Sequence, residues 1–147
     1  MPEIKVRDMK VEDLPIVLKL GAYEFDMKSI YHQYWNLIEL VNHFEKEREL
    51  CIVAESDRHI IGFALGHKGF SVWDSKLGHF EWIAVSRKYQ RKGIGTALCK
   101  EIIIRFEKMG IKRILADTRS RNISQKLLKK LSFKKIFSVD WFLRETS

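Results

Sequence analysis

One stretch of the sequence, residues 85–98, constrains the fold more than any other. An apolar run ends at Val85 and passes into a basic turn with two glycines, Gly93 and Gly95, after which an amphipathic helix begins. Glycine permits a tight turn and the close approach of a ligand, and the first amide N–H groups of a helix lack intrahelical partners. The stretch therefore predicts a strand, a turn and a helix whose N-terminus forms a socket for an anion.

Basic side chains surround this turn and favour a diphosphate over a single carboxylate as the bound anion. They are Arg87, Lys88, Arg91 and Lys92. The turn differs from both common nucleotide motifs, because Leu98 stands where the dinucleotide fingerprint needs its third glycine and no Gly-Lys-Ser/Thr follows as in a P-loop. A strand, a glycine turn and a charged helix start also occur in proteins without a ligand, so that alternative stays open at this point.

Length and composition fit one domain that covers residues 1–147. The chain has no apolar run of about 18 residues and no signal-peptide pattern at its start, so we expect a cytoplasmic protein with no membrane partner. Its two cysteines, Cys51 and Cys99, fall in a predicted strand and a predicted helix. These positions favour buried, reduced thiols over a disulfide or a nucleophile.

Charge is divided unevenly along the chain. Residues 1–57 carry a net charge of −5 and residues 58–147 a net charge of +13, within a total of +8. The division predicts a basic surface for a polyanionic ligand and an acidic surface for a cation, with a merely solvated surface as the alternative. No nucleic-acid partner is expected, because the basic half has no nucleic-acid motif. The five histidines are scattered, which predicts no metal site.

Periodicity and turn residues predict the remaining elements. The predicted helices cover Pro15–Asp26, Ile30–Lys46, Ile94–Met109 and Ile123–Leu131. The predicted strands cover Ile4–Met9, Leu50–Glu55, His59–His67, Leu77–Val85 and Ile111–Thr118, with one or two terminal strands within Phe133–Leu143. The order β-α-α-β-β-β-α-β-α-β(-β) specifies a single-domain α/β fold with a mixed central sheet flanked by helices.

Apolar and aromatic residues of the second predicted helix indicate which of its faces is buried. The predicted apolar stripe consists of Tyr34, Leu37, Ile38, Val41 and Phe44. An aromatic cluster, Tyr31, Tyr34 and Trp35, starts the same segment. Such a cluster is more often core packing than a binding surface, and the lining of a cleft is the alternative.

The glycine turn and its surroundings resemble the central motif of the GNAT superfamily of N-acetyltransferases, Gln/Arg-x-x-Gly-x-Gly/Ala. Here the motif reads Gln90-Arg91-Lys92-Gly93-Ile94-Gly95, after the β-rich Trp82–Val85 and before a helix. Asn122 with the run Leu127–Phe133 resembles the family's Asn…Tyr-x-x-Leu-Gly-Phe segment. The chain is thus similar to this family over nearly its whole length, with some similarity to its ribosomal-protein N-terminal acetyltransferase branch.

The resemblance implies acetyl-CoA as cosubstrate. The pyrophosphate site of the family maps onto Gln90, Arg91, Lys92, Gly93, Ile94, Gly95 and Thr96. The pantetheine arm is expected to bond the exposed edge of the preceding strand, at Ile83, Ala84 and Val85. Two parallel strands splay apart in the family to expose that edge, and the second of them would be Arg113–Thr118 here. Asn122 and Lys129 complete the implied cofactor contacts.

Acetyl transfer to an amine needs a base that removes the amine proton. By resemblance, Glu81 is the first candidate, since a carboxylate or histidine is frequent there in the family. His79 lies two residues earlier, so strand alternation puts it on the same face, where the pair could move a proton through water. Asp117 is the third candidate, because the ribosomal-protein branch has a Glu base at this place. Each has a structural alternative: an ion pair with a lysine on the sheet surface for Glu81, a satisfied strand histidine for His79, and pairing with Arg119 or capping of a turn for Asp117.

Leu128 departs from the family pattern, in which many members have a tyrosine here that protonates the departing thiolate. Ser132 likewise replaces the glycine of the Gly-Phe pair. Either solvent or another hydroxyl, at Tyr89, Ser124 or Ser132, then supplies the proton, or the protein is a catalytically weak or silent CoA-binding module.

The resemblance thus predicts a transfer from acetyl-CoA directly to a primary amine in a ternary complex, without an acyl-enzyme. The acceptor is a protein N-terminus, a lysine side chain or a small amine. The acidic N-terminal half favours a cationic acceptor. A homodimer is left open.

Overall fold

The computed structural model describes residues 3–25, 34–69, 76–116, 125–136, 140 and 142–147. Within these ranges the helices are α1 (Leu14–Glu24), α2 (Leu37–Lys46), α3 (Ile94–Lys108) and α4 (Gln125–Lys130). The strands are β1 (Ile4–Asp8), β2 (Cys51–Ser56), β3 (His59–Lys68), β4 (Leu77–Val85) and β5 (Arg113–Leu115). Short 3₁₀ turns at Val11–Asp13, Arg48–Leu50 and Arg87–Tyr89 join them.

The strands form a single mixed sheet in the order β1-β2-β3-β4-β5. Neighbouring strands are antiparallel except β4 and β5, which are parallel. The predicted hairpin of β2 and β3 is confirmed, and both turn residues, Asp57 and Arg58, have the positive φ of a type I′ turn. The predicted α/β fold with a mixed sheet flanked by helices is confirmed.

Each face of the sheet carries its own apolar layer. On one face α3 packs through Leu98, Ile102 and Phe106, all fully buried. On the other face α1 and α2 pack through Val17, Leu40 and Phe44. The sheet therefore separates the helix that follows the glycine turn from the two helices of the acidic half of the chain.

An ion-pair cluster joins the start of α1 to the sheet. The Arg7 guanidinium on β1 donates to both carboxylate oxygens of Asp13, at 2.7 and 3.1 Å, and to Glu55 on β2 at 3.0 Å. A bidentate pair of this kind has a fixed geometry. Burial disfavours ionised Asp13, but the bonds from Arg7 and the Lys10 amide outweigh burial and lower the pKa of Asp13.

The second helix begins later than predicted and buries a different face. It starts at Leu37 because the Asn36 side chain accepts a hydrogen bond from the Glu39 amide at 3.0 Å and caps the helix. The predicted start at Ile30 lies outside the described residues. The predicted stripe is wrong at Tyr34, Leu37 and Ile38, which are exposed, because the buried face is centred on Leu40 and Phe44.

Trp35 supplies core packing, as predicted for the aromatic cluster. Its indole stacks on the Phe63 ring at 5.2 Å and meets Phe25 edge-on at 5.0 Å. Its ring N–H donates to the Leu18 carbonyl at 2.9 Å, which satisfies the polar end of the buried side chain. Tyr31 lies outside the described residues.

The predicted elements of the C-terminal third are confirmed in part. Gly110 ends α3 as predicted, with a φ of 77° and a bond from its amide to Glu107. Strand β5 is shorter than predicted, since Ile111 and Lys112 precede it and Ala116 follows it without strand structure. The prediction of terminal strands is wrong for residues 133–136, 140, 142 and 143, which form no strand; residues 137–139 and 141 lie outside the described residues.

Both cysteines are buried and free, as predicted. Burial raises the pKa of the Cys99 thiol to about 12. Across the described parts of the chain, no helix is long and apolar enough to cross a membrane.

The end of α4 provides a test of backbone strain. Ser132 has a φ of 68°, and its amide and that of Phe133 bond back to Lys129 and Leu128 in a Schellman motif, whose left-handed position favours glycine. Ser132→Gly is expected to raise the free energy of unfolding by about 1 kcal/mol. Chemical denaturation measures it. Ser132→Ala, which keeps the Cβ atom, is the matched control, and an equal gain there would contradict the assignment.

Candidate active site

The predicted anion socket forms at the N-terminus of α3. Gly93 caps the helix with a φ of 84°, and Arg91 just before it also has a positive φ of 62°. The amide of Ala97 is bonded to the Gly93 carbonyl, so the amides of residues 93–96 have no intrahelical acceptor. A Cβ atom at Gly93 would meet no described atom within 4 Å, so the space beside this glycine is open in the described part of the chain.

The basic residues of the turn are all solvent-exposed, as a phosphate-binding mouth requires. Arg91 and Lys92 flank the glycine, and the side-chain nitrogens of Lys88 and Lys92 lie 5.6 and 5.7 Å from the Tyr89 ring centroid. Helix α4 borders the turn, because a Cβ atom at Gly95 would lie 4.0 Å from Leu127. Lys129 is exposed on this short helix.

Gln90 and Glu24 fix the loop that leads into the socket. The Gln90 side-chain amide donates to the Val85 carbonyl at 2.8 Å and to the Glu24 carboxylate at 3.3 Å. The same carboxylate accepts the Arg87 amide at 3.1 Å, which links the end of α1 to the loop. Gln90 thus organises the turn through its side chain, and sequence reasoning missed the part played by Glu24.

Among the described residues, strand β4 has an open edge next to the socket. Its parallel pairing with β5 covers only Leu77 to His79. Between Phe80 and Val85 no strand of the described chain pairs with that side. Phe133 packs on the Phe80 ring at 5.6 Å, where the two strands part.

Main-chain groups of this open edge alternate in direction. The Ser86 amide donates to the Ile61 carbonyl of β3, so alternation directs the Ala84 main chain to β3 as well. The N–H and C=O groups of Ile83 and Val85 therefore face the open edge, where the Val85 carbonyl already accepts the Gln90 side-chain amide. Of the three strand residues predicted to bind the cofactor, Ile83 and Val85 present main-chain groups there and Ala84 does not.

Glu81 lies at a β-bulge. Leu65 of β3 pairs with Trp82 and Gly66 pairs with Phe80, so Glu81 is the extra residue of β4. As a result the side chains of Glu81 and Trp82 point to the same face, where α1 and α2 pack, while Phe80 and Ile83 belong to the layer against α3. His79 is on the Glu81 face, as strand alternation predicted.

The Glu81 carboxylate pairs with His43 of α2. The distance from His43 Nδ1 to Glu81 Oε2 is 3.3 Å, and the other ring nitrogen, Nε2, lies 2.7 Å from the Gly66 carbonyl. Both neighbours are acceptors. The imidazole therefore donates from both nitrogens and is an imidazolium.

The charges of this pair reinforce each other. Burial disfavours protonated His43, but the contact with the Cys51 sulfur and the bond to the Glu81 carboxylate with its negative charge outweigh burial and raise the pKa of His43 from 6.5 to about 10. Burial also disfavours ionised Glu81, yet the bond and charge of His43, with His67 and His79 nearby, lower the pKa of Glu81 below 4.5. Glu81 is consequently a carboxylate at neutral pH.

A second acidic residue extends the cluster. Glu47, buried after the end of α2, lies 3.2 Å from His67 Nδ1 and accepts the Lys68 amide at 3.1 Å. The rings of His67 and His43 are 6.1 Å apart. In the described part of the chain, no group of histidine, cysteine and acidic side chains is arranged to hold a metal ion.

The sequence analysis did not identify His43 and Glu47, although their spacing along α2 indicates that both share its buried face. With Leu40 and Phe44 they fall at positions i, i+3, i+4 and i+7, which is the spacing of one helix face. Asp117 and Asn122, also predicted site residues, lie outside the described residues, as does Ser124. The Leu128 side chain is buried in the layer against α3 and offers no proton donor.

Comparison with known proteins gives one family and several related folds. Residues 10–133 match the acetyltransferase (GNAT) family. An N-alpha-acetyltransferase from Sulfurisphaera tokodaii is 26% identical over 143 residues, which cover 91% of this chain and 82% of the relative.

Two solved structures share the fold at low sequence identity. The PaiA N-acetyltransferase of Thermoplasma acidophilum, in complex with coenzyme A, is 18% identical with a TM-score of 0.74 over 94% of this chain and 93% of that one. The ribosomal-protein-S18-alanine N-acetyltransferase of Escherichia coli is 20% identical with a TM-score of 0.73 over 92% of this chain and 80% of that one.

The His43–Glu81 pair makes stability depend on pH. Because the His43 pKa is raised, its contribution is complete below pH 6.5 and is lost as the pH rises towards about 10. Because the Glu81 pKa is lowered, its contribution is present above pH 4.5 and is lost as the pH falls below that value. Together they stabilise the fold most between these limits, by about 1–3 kcal/mol, discounted because the Glu81 side chain is 37% exposed.

Denaturant unfolding of the wild type and His43→Gln measures this contribution. The difference in free energy of unfolding is expected to shrink as the pH rises above 6.5. His59→Gln, at an exposed position on β3, is the matched control for the loss of one imidazole and is measured over the same pH range. A His43→Gln difference that does not change with pH would contradict the charged pair.

Proposed function

The chain belongs to the acetyltransferase (GNAT) family and is an acetyl-CoA-dependent N-acetyltransferase, and from that premise we propose that it transfers the acetyl group directly to the α-amino group of a polypeptide. Acetyl-CoA and the acceptor polypeptide bind to the protein together, in a ternary complex. The open edge of β4, which runs from the socket to Glu81, is the observation that carries this proposal.

Acetyl-CoA supplies an activated acetyl thioester, and the residues of the chain bind it and handle the proton. Its diphosphate fits the free amides at residues 93–96 and the charges of Arg91 and Lys92. Both main-chain groups of Ile83 and the N–H of Val85 suit the amides of the pantetheine arm, since the Val85 carbonyl is bonded to Gln90. Asn122 and Lys129 remain proposed contacts.

Glu81 is the proposed base. Its carboxylate is ionised and more than one third exposed, so a water molecule can join it to an acceptor amine. The amine proton passes to this carboxylate as the nitrogen attacks the acetyl carbon, and the thiolate leaves and is protonated by solvent, since Leu128 has no donor. His79 on the same face and Asp117 remain alternative bases.

The lowered pKa of Glu81 favours an α-amine over a lysine side chain. A carboxylate with a lowered pKa is a weak base. At neutral pH roughly one tenth or more of α-amino groups are already neutral, against roughly one in a thousand or fewer lysine side chains. The name of the relative from Sulfurisphaera tokodaii, N-alpha-acetyltransferase, agrees with this choice.

The negative charge of the N-terminal half supports an acceptor polypeptide whose N-terminus carries a cationic group. The helices α1 and α2, from the acidic half of the chain, cover the face on which Glu81 lies. Oppositely charged surfaces raise the rate of encounter. Lysine side chains and small amines are the competing acceptors in the test.

Glu81→Gln is expected to lower kcat/KM for acetyl transfer by about 100-fold or more, because the neutral amide cannot accept the amine proton. Release of CoA thiol is followed with acetyl-CoA and three acceptors: a peptide with a free α-amine, the same peptide blocked at its N-terminus but containing lysine, and a small diamine.

Glu45→Gln is the matched control, since Glu45 is an exposed carboxylate on α2 away from the pair. The α-amine peptide is expected to react fastest with the wild type. Faster reaction of the blocked peptide or the diamine would overturn the proposed acceptor, and CoA binding without thiol release from any amine would overturn the proposed reaction.

The double substitution Arg91→Gln, Lys92→Gln is expected to raise KM for acetyl-CoA by about tenfold with little change in kcat. Both side chains are exposed beside the socket, so their removal weakens the attraction for the diphosphate. Lys100→Gln with Lys108→Gln, which removes the same charge farther along α3, is the control. Equal effects of the two double variants would show that only net charge matters.

A further inference from the structure

His43 connects three elements at the point where β4 bulges. It projects from α2, donates through Nε2 to Gly66 of β3 at 2.7 Å, and lies 3.3 Å through Nδ1 from Glu81 of β4. Gly66 and Phe80 are the last paired residues before the bulge, so the imidazole bonds both to the extra residue and to the strand opposite it.

The surroundings of His43 come from every element packed against it. Cys51 on β2 contacts the imidazole, and its thiol donates to the Glu47 carbonyl at 3.3 Å. His67 on β3 lies beside it and is itself paired with Glu47. His79 on β4 interacts with the same Glu81 carboxylate. Among these, Glu81 is the carboxylate bonded directly to the His43 ring.

The two bonds of His43 exclude it as the base. Both ring nitrogens are engaged with acceptors, so neither has a lone pair with which to take the amine proton. The His43 side chain is also only 10% exposed, against 37% for Glu81. An acceptor amine can therefore reach the carboxylate and not the imidazole.

We propose that His43 is a positioning residue of the acetyl transfer, which holds the Glu81 carboxylate in place beside the open edge of β4 and locks the bulge that creates its position. This inference rests on the proposed role of Glu81 as base. It predicts that loss of His43 changes the pH at which Glu81 becomes active, and not only the amount of folded enzyme.

Two substitutions separate the two bonds. His43→Gln places an amide near the former Nε2, so the bond to Gly66 can remain while the contact with Glu81 is lost. His43→Asn places an amide near the former Nδ1, so a neutral bond to Glu81 can remain while Gly66 is lost. Both remove the positive charge.

The pH profile of kcat/KM is the readout in the wild type and both variants, with one acceptor peptide throughout. The titration of the acceptor amine contributes equally to the profiles of the wild type and both variants, so differences between the profiles come from groups of the enzyme. The amine sets the upper part of the acidic limb, so the second break, at the pH where Glu81 takes up a proton, is expected to move to higher pH by about one unit or more in His43→Gln and by less in His43→Asn. KM for acetyl-CoA is expected to stay within about twofold in both, since the socket is untouched.

A double variant tests whether His43 acts through Glu81. Glu81→Gln with His43→Gln is expected to be no slower than Glu81→Gln alone, because the positioned group is already absent. A uniform loss of activity at every pH, or additive losses in the double variant, would overturn the proposal and leave His43 a structural residue.

NMR gives the same answer without an acceptor, even if the proposed reaction fails or a variant is unstable. In the wild type, ¹⁵N shifts are expected to show both His43 nitrogens protonated at about pH 8, where an ordinary imidazole is neutral. The ¹³C carboxyl titration of Glu81 is expected to move to higher pH in whichever variant folds. A neutral His43 at that pH, or an unmoved Glu81 titration, would overturn the proposal.

Discussion

The bulge in β4 is the constraint on which the rest of the site depends. One extra residue, Glu81, turns two consecutive side chains towards α1 and α2 and changes the course of the strand. In the described part of the chain β4 and β5 pair only before this bulge, which leaves main-chain groups of Ile83 and Val85 directed at an open edge. The imidazolium of His43 stabilises the bulge, because it bonds to the extra residue and to Gly66 opposite.

Two kinds of electrostatics meet along this edge. At one end, free amides, a helix dipole and exposed basic residues favour a phosphate group. At the other end, a carboxylate is kept ionised by a buried cation. The sheet also separates the basic and acidic parts of the chain. Helix α3, which follows the basic turn, lies on one face, and the helices of the acidic half lie on the other. A polyanionic donor and a cationic acceptor can therefore approach from different sides.

Much of the fold could be predicted because local signals agreed with it: the polar hairpin turn at Ser56–Arg58, the glycine socket, and Gly110 as a helix end. The part of the site on β4 was also predictable, since alternation placed His79 and Glu81 on one face. The buried face of α2 could not be predicted. Because its apolar residues outnumber its buried ones, periodicity favours a stripe through Leu37 and Ile38, which are exposed, and does not identify the face that carries His43. The bulge depends on pairing with β3, which periodicity within one strand does not reveal.

A crystal structure with CoA and an N-terminal peptide analogue tests the central claim most directly. We predict the diphosphate on the amides of residues 93–96, the pantetheine arm bonded to the main chain of Ile83 and Val85, and the sulfur and the peptide amine both beside the Glu81 carboxylate with His43 still bonded to it. A sulfur placed away from Glu81, or a peptide amine that reaches Asp117 instead, would contradict this account of the site.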